Sequence, residues 1–329
     1  MQAILYSEFG AARDVLRLET VSTPDPAAGE VLVEMRMSGV NPSDVKARAG
    51  ARPGVTKPPF PQIIPHSDGA GVIVAVGDGV DPARLGQRVW VWNGQWQRAF
   101  GTAASHCVLP AAQAVPLPAE VSFETGASLG IPGLTATQAV FGNGDVGGKT
   151  VLVHGGAGSV GGLAVQLAAW GGAKVIATAR SDDLAKVQAS GAAAVVDYRS
   201  DDLAAAILAA NGGGPVDHIV EVEFGINADT DAAVIAENGS IAAYGSAKNM
   251  RPEMPFYTFM FKAVRLDTIL IYLLPPAARA AAIERLHKAL VSGGLTIPVD
   301  GTFALKDTAA AHEEVEAGRR DGATLVQVV

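Results

Sequence analysis

The chain has 329 residues, 49% of them hydrophobic and 18% charged, a core-rich composition too long for one ordinary core and therefore expected to form two domains. A net charge of −8 and a pI near 5.3 argue against a nucleic-acid or anionic-membrane surface, which needs a basic stripe. The single Cys107 cannot form an internal disulfide, no apolar run approaches a membrane span, and the opening MQAILYSEFG lacks the basic and apolar regions of a signal peptide. A soluble cytoplasmic protein is expected.

Up to about Pro118 the sequence reads as β-rich. Short β-branched runs at 31–35, 71–76 and 88–92 are punctuated by Gly and Pro, with a turn at Asn93-Gly94, the pattern of an antiparallel, partly closed β domain. Ser122 is placed to cap a helix starting at Phe123. From Val151 the rhythm changes to alternating strands and helices. Strands are expected at 151–153, 174–178, 195–196, 219–220, 241–243 and 268–272, with helices at 163–170 and 183–190. Such alternation of apolar runs predicts a parallel sheet covered on both faces. After Pro275-Pro276 come a helix to about Val291, a strand at 302–305, a helix near His312 and a final strand at 324–328. This tail resembles the first part, so 124–272 is read as a domain inserted into one formed by 1–123 and 273–329.

The strongest motif runs Val153-His154-Gly155-Gly156-Ala157-Gly158-Ser159-Val160-Gly161. It holds G-x-G-x-x-G at Gly156, Gly158 and Gly161, after a strand and at the start of a helix, the context a dinucleotide-binding turn requires. Gly156 permits the tight turn, Gly158 lets the backbone approach a pyrophosphate, and Gly161 lets helix and strand pack closely. The helix N-terminus, with Ser159 and Val160, offers free N–H groups to the anion. A glycine-rich turn without cofactor is the bland alternative. The second strand separates NAD from NADP, because NAD sites usually end it with an acid for the ribose hydroxyl. Here Thr178 or Ala179 stands in that place and Arg180 and Ser181 follow, so NADPH is expected, with Arg180 bonding the 2′-phosphate. Asp182 and Asp183 close behind weaken that reading, and Lys186 is a second candidate.

The joint order of Gly39-Val40-Asn41-Pro42-Ser43-Asp44, Ser67-Asp68-Gly69-Ala70-Gly71, Gly130-Ile131-Pro132-Gly133-Leu134-Thr135-Ala136, the glycine turn, Asp197-Tyr198-Arg199 and Tyr244-Gly245-Ser246 resembles the medium-chain dehydrogenase/reductase superfamily, and within it the zeta-crystallin-like quinone oxidoreductases. The resemblance implies an α/β chain with a GroES-like β-rich catalytic domain, a doubly wound Rossmann domain and an active-site cleft. It implies cofactor contacts at Thr135, Tyr198, Gly245 and Ser246, and places Asn41 in the cleft. Many members carry Tyr where this chain has Lys46, whose ammonium would polarise a carbonyl more strongly than a phenol; a solvated surface lysine is the competing reading.

The zinc-dependent members place Cys where this chain has Asn41 and His where it has Ser67. Asn41 and Ser67 are poor ligands, His66 sits one position early, and one cysteine cannot make a four-thiolate lobe, so no metal is expected. Hydride transfer to a quinone needs none. The expected function is thus zinc-independent NADPH:quinone oxidoreduction. A reductase of α,β-unsaturated carbonyls would use the same cleft, and a non-catalytic nucleotide-binding or RNA-binding relative is the reading from another class. The apolar run 268–274, taken as the last strand of a sheet ordered 3-2-1-4-5-6, would be a bare edge. A homodimer, or a tetramer of dimers, joined there is expected.

Overall fold

The computed structural model describes residues 1–52, 54–318 and 321–328. The chain divides into two compact units, Met1–Ile131 with Ile297–Val329, and Pro132–Thr296.

The first unit is built on a seven-stranded sheet. Glu30–Val40 pairs antiparallel with Asp68–Val76, which pairs with Arg88–Val91, and that strand with Ala114–Pro116. On its other side Glu30–Val40 takes His106–Pro110 along its first half and Ala323–Gln327 along its second. Val299–Ala304 runs parallel to Ala323–Gln327. The run at 31–35 is nearly all apolar because both faces are covered: Val31, Val33 and Met35 lie in one core cluster, and Leu32 is buried as well. In a two-stranded sheet, Gln2–Leu5 pairs with Arg17–Thr20 and packs Ala3, Ile4 and Leu5 into a second cluster with Ile63, Ile64 and Val326. The β-rich reading and its completion by the C-terminal segment match these elements.

The second unit is a six-stranded, all-parallel sheet. Its order is Ala194–Asp197, Lys174–Ala179, Thr150–Val153, Val216–Glu221, Ile235–Ala243 and Arg265–Thr268, the doubly wound 3-2-1-4-5-6 arrangement. Leu152, Ile176, Ile219 and Ile241, one from each of four neighbouring strands, are fully buried in one cluster. Helix Ser159–Trp170 follows strand Thr150–Val153, and helix Phe224–Val234 follows strand Val216–Glu221.

One sequence expectation is corrected. The last strand is Arg265–Thr268, not 268–272; Ile269 donates its N–H to Ala243 O and the chain then leaves the sheet, forming a 3-10 turn at Ile271–Leu273. The apolar run misled because Ile271 is apolar for burial in that turn, and a short apolar run does not distinguish strand from other buried backbone. By their contacts the two units divide at 131/132 and 296/297. Helix Pro276–Val291 belongs to the second unit, packed on helix Leu134–Phe141 with the Arg285 guanidinium 4.6 Å from the Phe141 ring.

Candidate cofactor and substrate sites

The glycine turn sits between strand Thr150–Val153 and helix Ser159–Trp170. Gly155 takes φ +68°, in the left-handed region, which glycine enters without steric cost. A Cβ on Gly161 would lie 2.1 Å from Gly155 O, so helix and turn touch backbone to backbone. Gly158 is the N-cap of a twelve-residue helix and supplies no side-chain cap. The N–H groups of Ser159, Val160 and Gly161 open that helix, where no intrahelical acceptor exists for them. They remain for an anion, which the helix dipole also favours. The turn therefore fits a dinucleotide pyrophosphate.

At the end of the second strand the structure assembles more than one basic group. Arg180 is exposed and pairs with Asp183 at 3.0 Å. Arg199, at the end of the neighbouring strand, bonds Asp197 through Nε and Nη2, each at 3.2 Å, and donates to Ser181 Oγ; Ser181 in turn donates to Asp197. These bonds hold the Asp197 carboxyl well below the usual carboxylate range, the Arg199 guanidinium being the largest cause. Tyr198, beside them, is exposed. Arg180, Ser181, Tyr198 and Arg199 are thus brought together. Arg199 carries the signal that sequence reading passed over: it follows directly on the Tyr198 already singled out. Thr178 lies elsewhere. It is buried, and its hydroxyl faces His154 Nδ1 at 3.1 Å and Gly155 N at 3.2 Å.

Thr135 is buried in the first turn of helix Leu134–Phe141. Gly245 leaves no room for a side chain, since a Cβ there would lie 2.2 Å from Val222 O. Ser246 Oγ accepts from Gly225 N at 2.9 Å and donates to Asn249 O. Glu223, without a role in the sequence reading, accepts from Lys248 N at 2.7 Å and so ties the same two loops together.

In the first unit Asn41 caps helix Pro42–Arg48. Its N–H goes to Asp44 Oδ2 and its amide Nδ2 to Asp68 Oδ2, both at 2.8 Å. Ile131 N–H donates to both Asp68 oxygens at 2.8 and 3.0 Å. Burial pushes the Asp44 carboxyl up to about 7, only partly offset by donation from Asn41, and pushes Asp68 well above its ordinary value. One Nδ2 proton of Asn41 goes to Asp68, which orients the amide. Lys46 is exposed on the same helix and shares no hydrogen bond with Asn41 or Asp68.

Beside Asp68 runs a buried polar chain. Thr102 Oγ1 donates to Asp68 O at 2.6 Å and lies 2.8 Å from Ser38 Oγ, which lies 2.8 Å from His66 Nδ1; His66 Nε2 is 2.9 Å from His312 Nε2. Burial lowers both histidines, His66 to about 3, so both are neutral. With the Thr102 proton on the carbonyl, Ser38 must donate to Thr102, His66 Nδ1–H to Ser38, and His312 Nε2–H to His66 Nε2. Both ring nitrogens of His66 are thereby occupied.

Residues 27–119 match the family model of the alcohol dehydrogenase GroES-like domain, and residues 159–288 that of the zinc-binding dehydrogenases. The chain is 31% identical to a rat quinone oxidoreductase over 322 residues, covering 96% of this chain and 94% of that protein. It is 32% identical over 210 residues to a chloroplastic NADPH-dependent alkenal/one oxidoreductase of Arabidopsis thaliana, covering 62% and 54%. Among solved structures it superposes on an NAD-dependent alcohol dehydrogenase with a TM-score of 0.88 at 27% identity. It superposes on the Escherichia coli quinone oxidoreductase complexed with NADPH with a TM-score of 0.85 at 25% identity; both matches cover 100% of each chain.

Zinc does not fit the first unit's polar residues. Asn41 offers an amide already donating to Asp68, Ser67 a hydroxyl, and His66 no free lone pair. Catalytic zinc asks for three nitrogen, sulfur or carboxylate ligands around an open position. Dialysis against a strong chelator is therefore expected to leave NADPH oxidation unchanged. Stoichiometric zinc lost together with activity would refute this.

Proposed function

Because this chain belongs to the zeta-crystallin-like quinone oxidoreductases of the medium-chain dehydrogenase/reductase superfamily, we propose that it is a zinc-independent enzyme reducing a quinone with NADPH. The observation that carries the reading is the uncapped glycine turn before helix Ser159–Trp170, with Arg180 and Arg199 at the ends of the adjacent strands. The turn holds the pyrophosphate by the N–H groups of residues 159–161. Arg180, Ser181 and Arg199 take the 2′-phosphate, Tyr198 covers the adenosine end, and Thr135, Gly245 and Ser246 border the nicotinamide side. When bound, the nicotinamide supplies the hydride. Asn41, oriented by Asp68, gives its second N–H to the carbonyl oxygen as negative charge gathers there. Lys46, exposed at the helix surface, lends positive charge to the same approach. An α,β-unsaturated carbonyl presents the same oxygen, and the similarity to an alkenal/one oxidoreductase favours it as the second reading. A cytoplasmic setting, reducing and supplied with NADPH, suits the single buried thiol of Cys107. Among the described residues no helix is long and apolar enough to cross a membrane.

The test is steady-state NADPH oxidation against a panel of quinones and enones. Turnover with quinones establishes the reading, and preference for enones moves the protein to the second. Tight NADPH binding with no acceptor reduced refutes both and favours a non-catalytic nucleotide-binding role.

We further propose a homodimer, or a tetramer of dimers, at the sheet edge. The edge strand Arg265–Thr268 pairs on one side only, and unpaired strand edges invite pairing with a second copy. Arg265 and Asp267 are charged, but both are turned onto Asn143 of the same chain. Next to the edge, helix Phe256–Phe261 exposes Phe256, Tyr257 and Phe261, and the following turn exposes Leu270 and Leu273. Light scattering is expected to give twice or four times the 33.6 kDa chain mass, and Leu270→Lys with Leu273→Lys to shift it toward one chain. A monomer at micromolar concentration rules the contact out.

A further inference from the structure

Directly behind the glycine turn lies a buried ionic cluster that the proposed chemistry does not use. His154, the residue after strand Thr150–Val153, is essentially inaccessible, as are Glu221 and Asp231. Its Nε2 lies 3.1 Å from Asp231 Oδ1 and 3.6 Å from Glu221 Oε2. Its Nδ1 lies 3.1 Å from Thr178 Oγ1, and the same oxygen accepts the Gly155 N–H of the turn. Gly156 N–H goes to Thr178 O at 2.8 Å.

From Glu221 the bonds run outward. Its carboxylate accepts from Glu223 N–H and from Asn227 Nδ2, and its carbonyl from Tyr244 N–H. Phe224 N–H reaches Gly245 O, Gly225 N–H reaches Ser246 Oγ, and Glu223 Oε1 takes Lys248 N–H. Three segments are thus linked through one imidazole: the glycine turn by way of Thr178, the 221–225 segment by way of Glu221, and through that segment the 244–249 loop, which carries Gly245 and Ser246. Asp231 and Asn227 sit one turn apart on helix Phe224–Val234, so that helix is drawn into the same knot.

We propose that His154, held by Asp231 and Glu221, is a positioning residue for the dinucleotide: through Thr178 it fixes the glycine turn in register with the 221–225 segment and, through that segment, with the loop of Gly245 and Ser246 that borders the nicotinamide. This rests on the dinucleotide-binding reading of the second unit. The device works as an imidazolium, which donates from both ring nitrogens, Nε2–H to Asp231 and Nδ1–H to Thr178. Burial pulls the imidazole down, but Glu221 and then Asp231 raise it further, to a net value above its ordinary one. Burial and the Asp231 charge likewise lift Glu221, to about 7. The other titratable groups facing the cluster are Tyr244, whose phenol burial and Glu221 keep neutral, and Glu223, which points to Lys248.

Both raised groups hold protons more tightly in the fold than outside it. Their contribution is complete at acid pH and is lost as pH rises through these values, leaving buried carboxylates with no cation between them.

The experiment is a titration of NADPH binding by fluorescence, with steady-state kinetics in parallel, between about pH 7 and 9, where the cofactor's phosphates are already ionised. Wild type is expected to lose affinity across this range. His154→Gln should bind NADPH about tenfold more weakly, the scale of one lost charge-assisted contact, and show a flat profile. Its kcat at saturating NADPH and its KM for quinone should stay within about threefold of wild type, because the chemistry itself is untouched. Should His154→Gln fail to fold, Thr178→Val cuts the same link without leaving a buried charge and is expected to weaken NADPH binding likewise. Variants that bind NADPH like wild type with the same pH dependence overturn the proposal, as does a flat wild-type profile. So does a stoichiometric metal ion on the cluster that chelation removes together with NADPH affinity. Wild type that binds neither NADPH nor NADH instead overturns the dinucleotide reading beneath it.

Discussion

Gly161→Ala is expected to abolish NADPH binding at concentrations that saturate the wild type. The added methyl would stand 2.1 Å from Gly155 O and 2.8 Å from Gly155 C, far inside van der Waals contact, and its neighbours there are backbone that cannot rotate away. Either the turn moves or the helix start does, and both carry the N–H groups that hold the pyrophosphate. Losing two such charge-assisted bonds, at ~1.5–3 kcal/mol each, weakens binding by at least about a hundredfold. The check is isothermal titration with NADPH beside a thermal melt. A variant that still binds within a few-fold of wild type would show that the helix N-terminus is not the anion site.

The second large effect is on the choice of cofactor. Wild type is expected to bind NADPH at least about tenfold more tightly than NADH, one charge-assisted contact's worth. The strand end offers the ribose no acid, and Arg180 and Arg199 flank it. Each guanidinium is presently paired with a carboxylate, Arg180 with Asp183 and Arg199 with Asp197. Because these pairs are exposed, they cost little to rearrange toward a phosphate. Arg180→Ala and Arg199→Ala together should remove most of the preference while leaving NADH affinity nearly unchanged. Equal affinity of the wild type for the two cofactors would end this assignment.

How much of this was legible beforehand depends on the kind of signal. The Rossmann order was readable because each strand is a short apolar run and each turn carries Gly, a local signature. Asn41, the glycine turn and Arg180 stand as candidates on motif position for the same reason. What escaped was non-local. Arg199 and Ser181 are 18 residues apart and meet only because their strands are neighbours in the sheet. His154, Glu221 and Asp231 span 77 residues, and nothing around any one of them marks it as charged and buried. Thr178 was read as facing the ribose because strand alternation tells which residues share a face but not which face is the inner one. The run at 268–274 failed differently: apolarity there records burial of Ile271 in a turn, and burial alone does not specify backbone shape.

The strand Ala323–Gln327 lies between Glu30–Val40 and Val299–Ala304, so the first unit is closed by a stretch of chain that comes after the whole of the second unit. The second unit, 132–296, is contiguous and emerges whole from the ribosome while the first still lacks two strands. The stretch of Glu30–Val40 from Met37 to Val40 waits without this partner until 323–327 follows the whole of the second unit. The contact that completes that sheet carries one of the largest sequence separations in the molecule, and such closures are slow. Order of assembly is therefore written into the topology: the nucleotide-binding unit is ready first, and the unit bearing Asn41 is sealed only by strands that follow it in the chain.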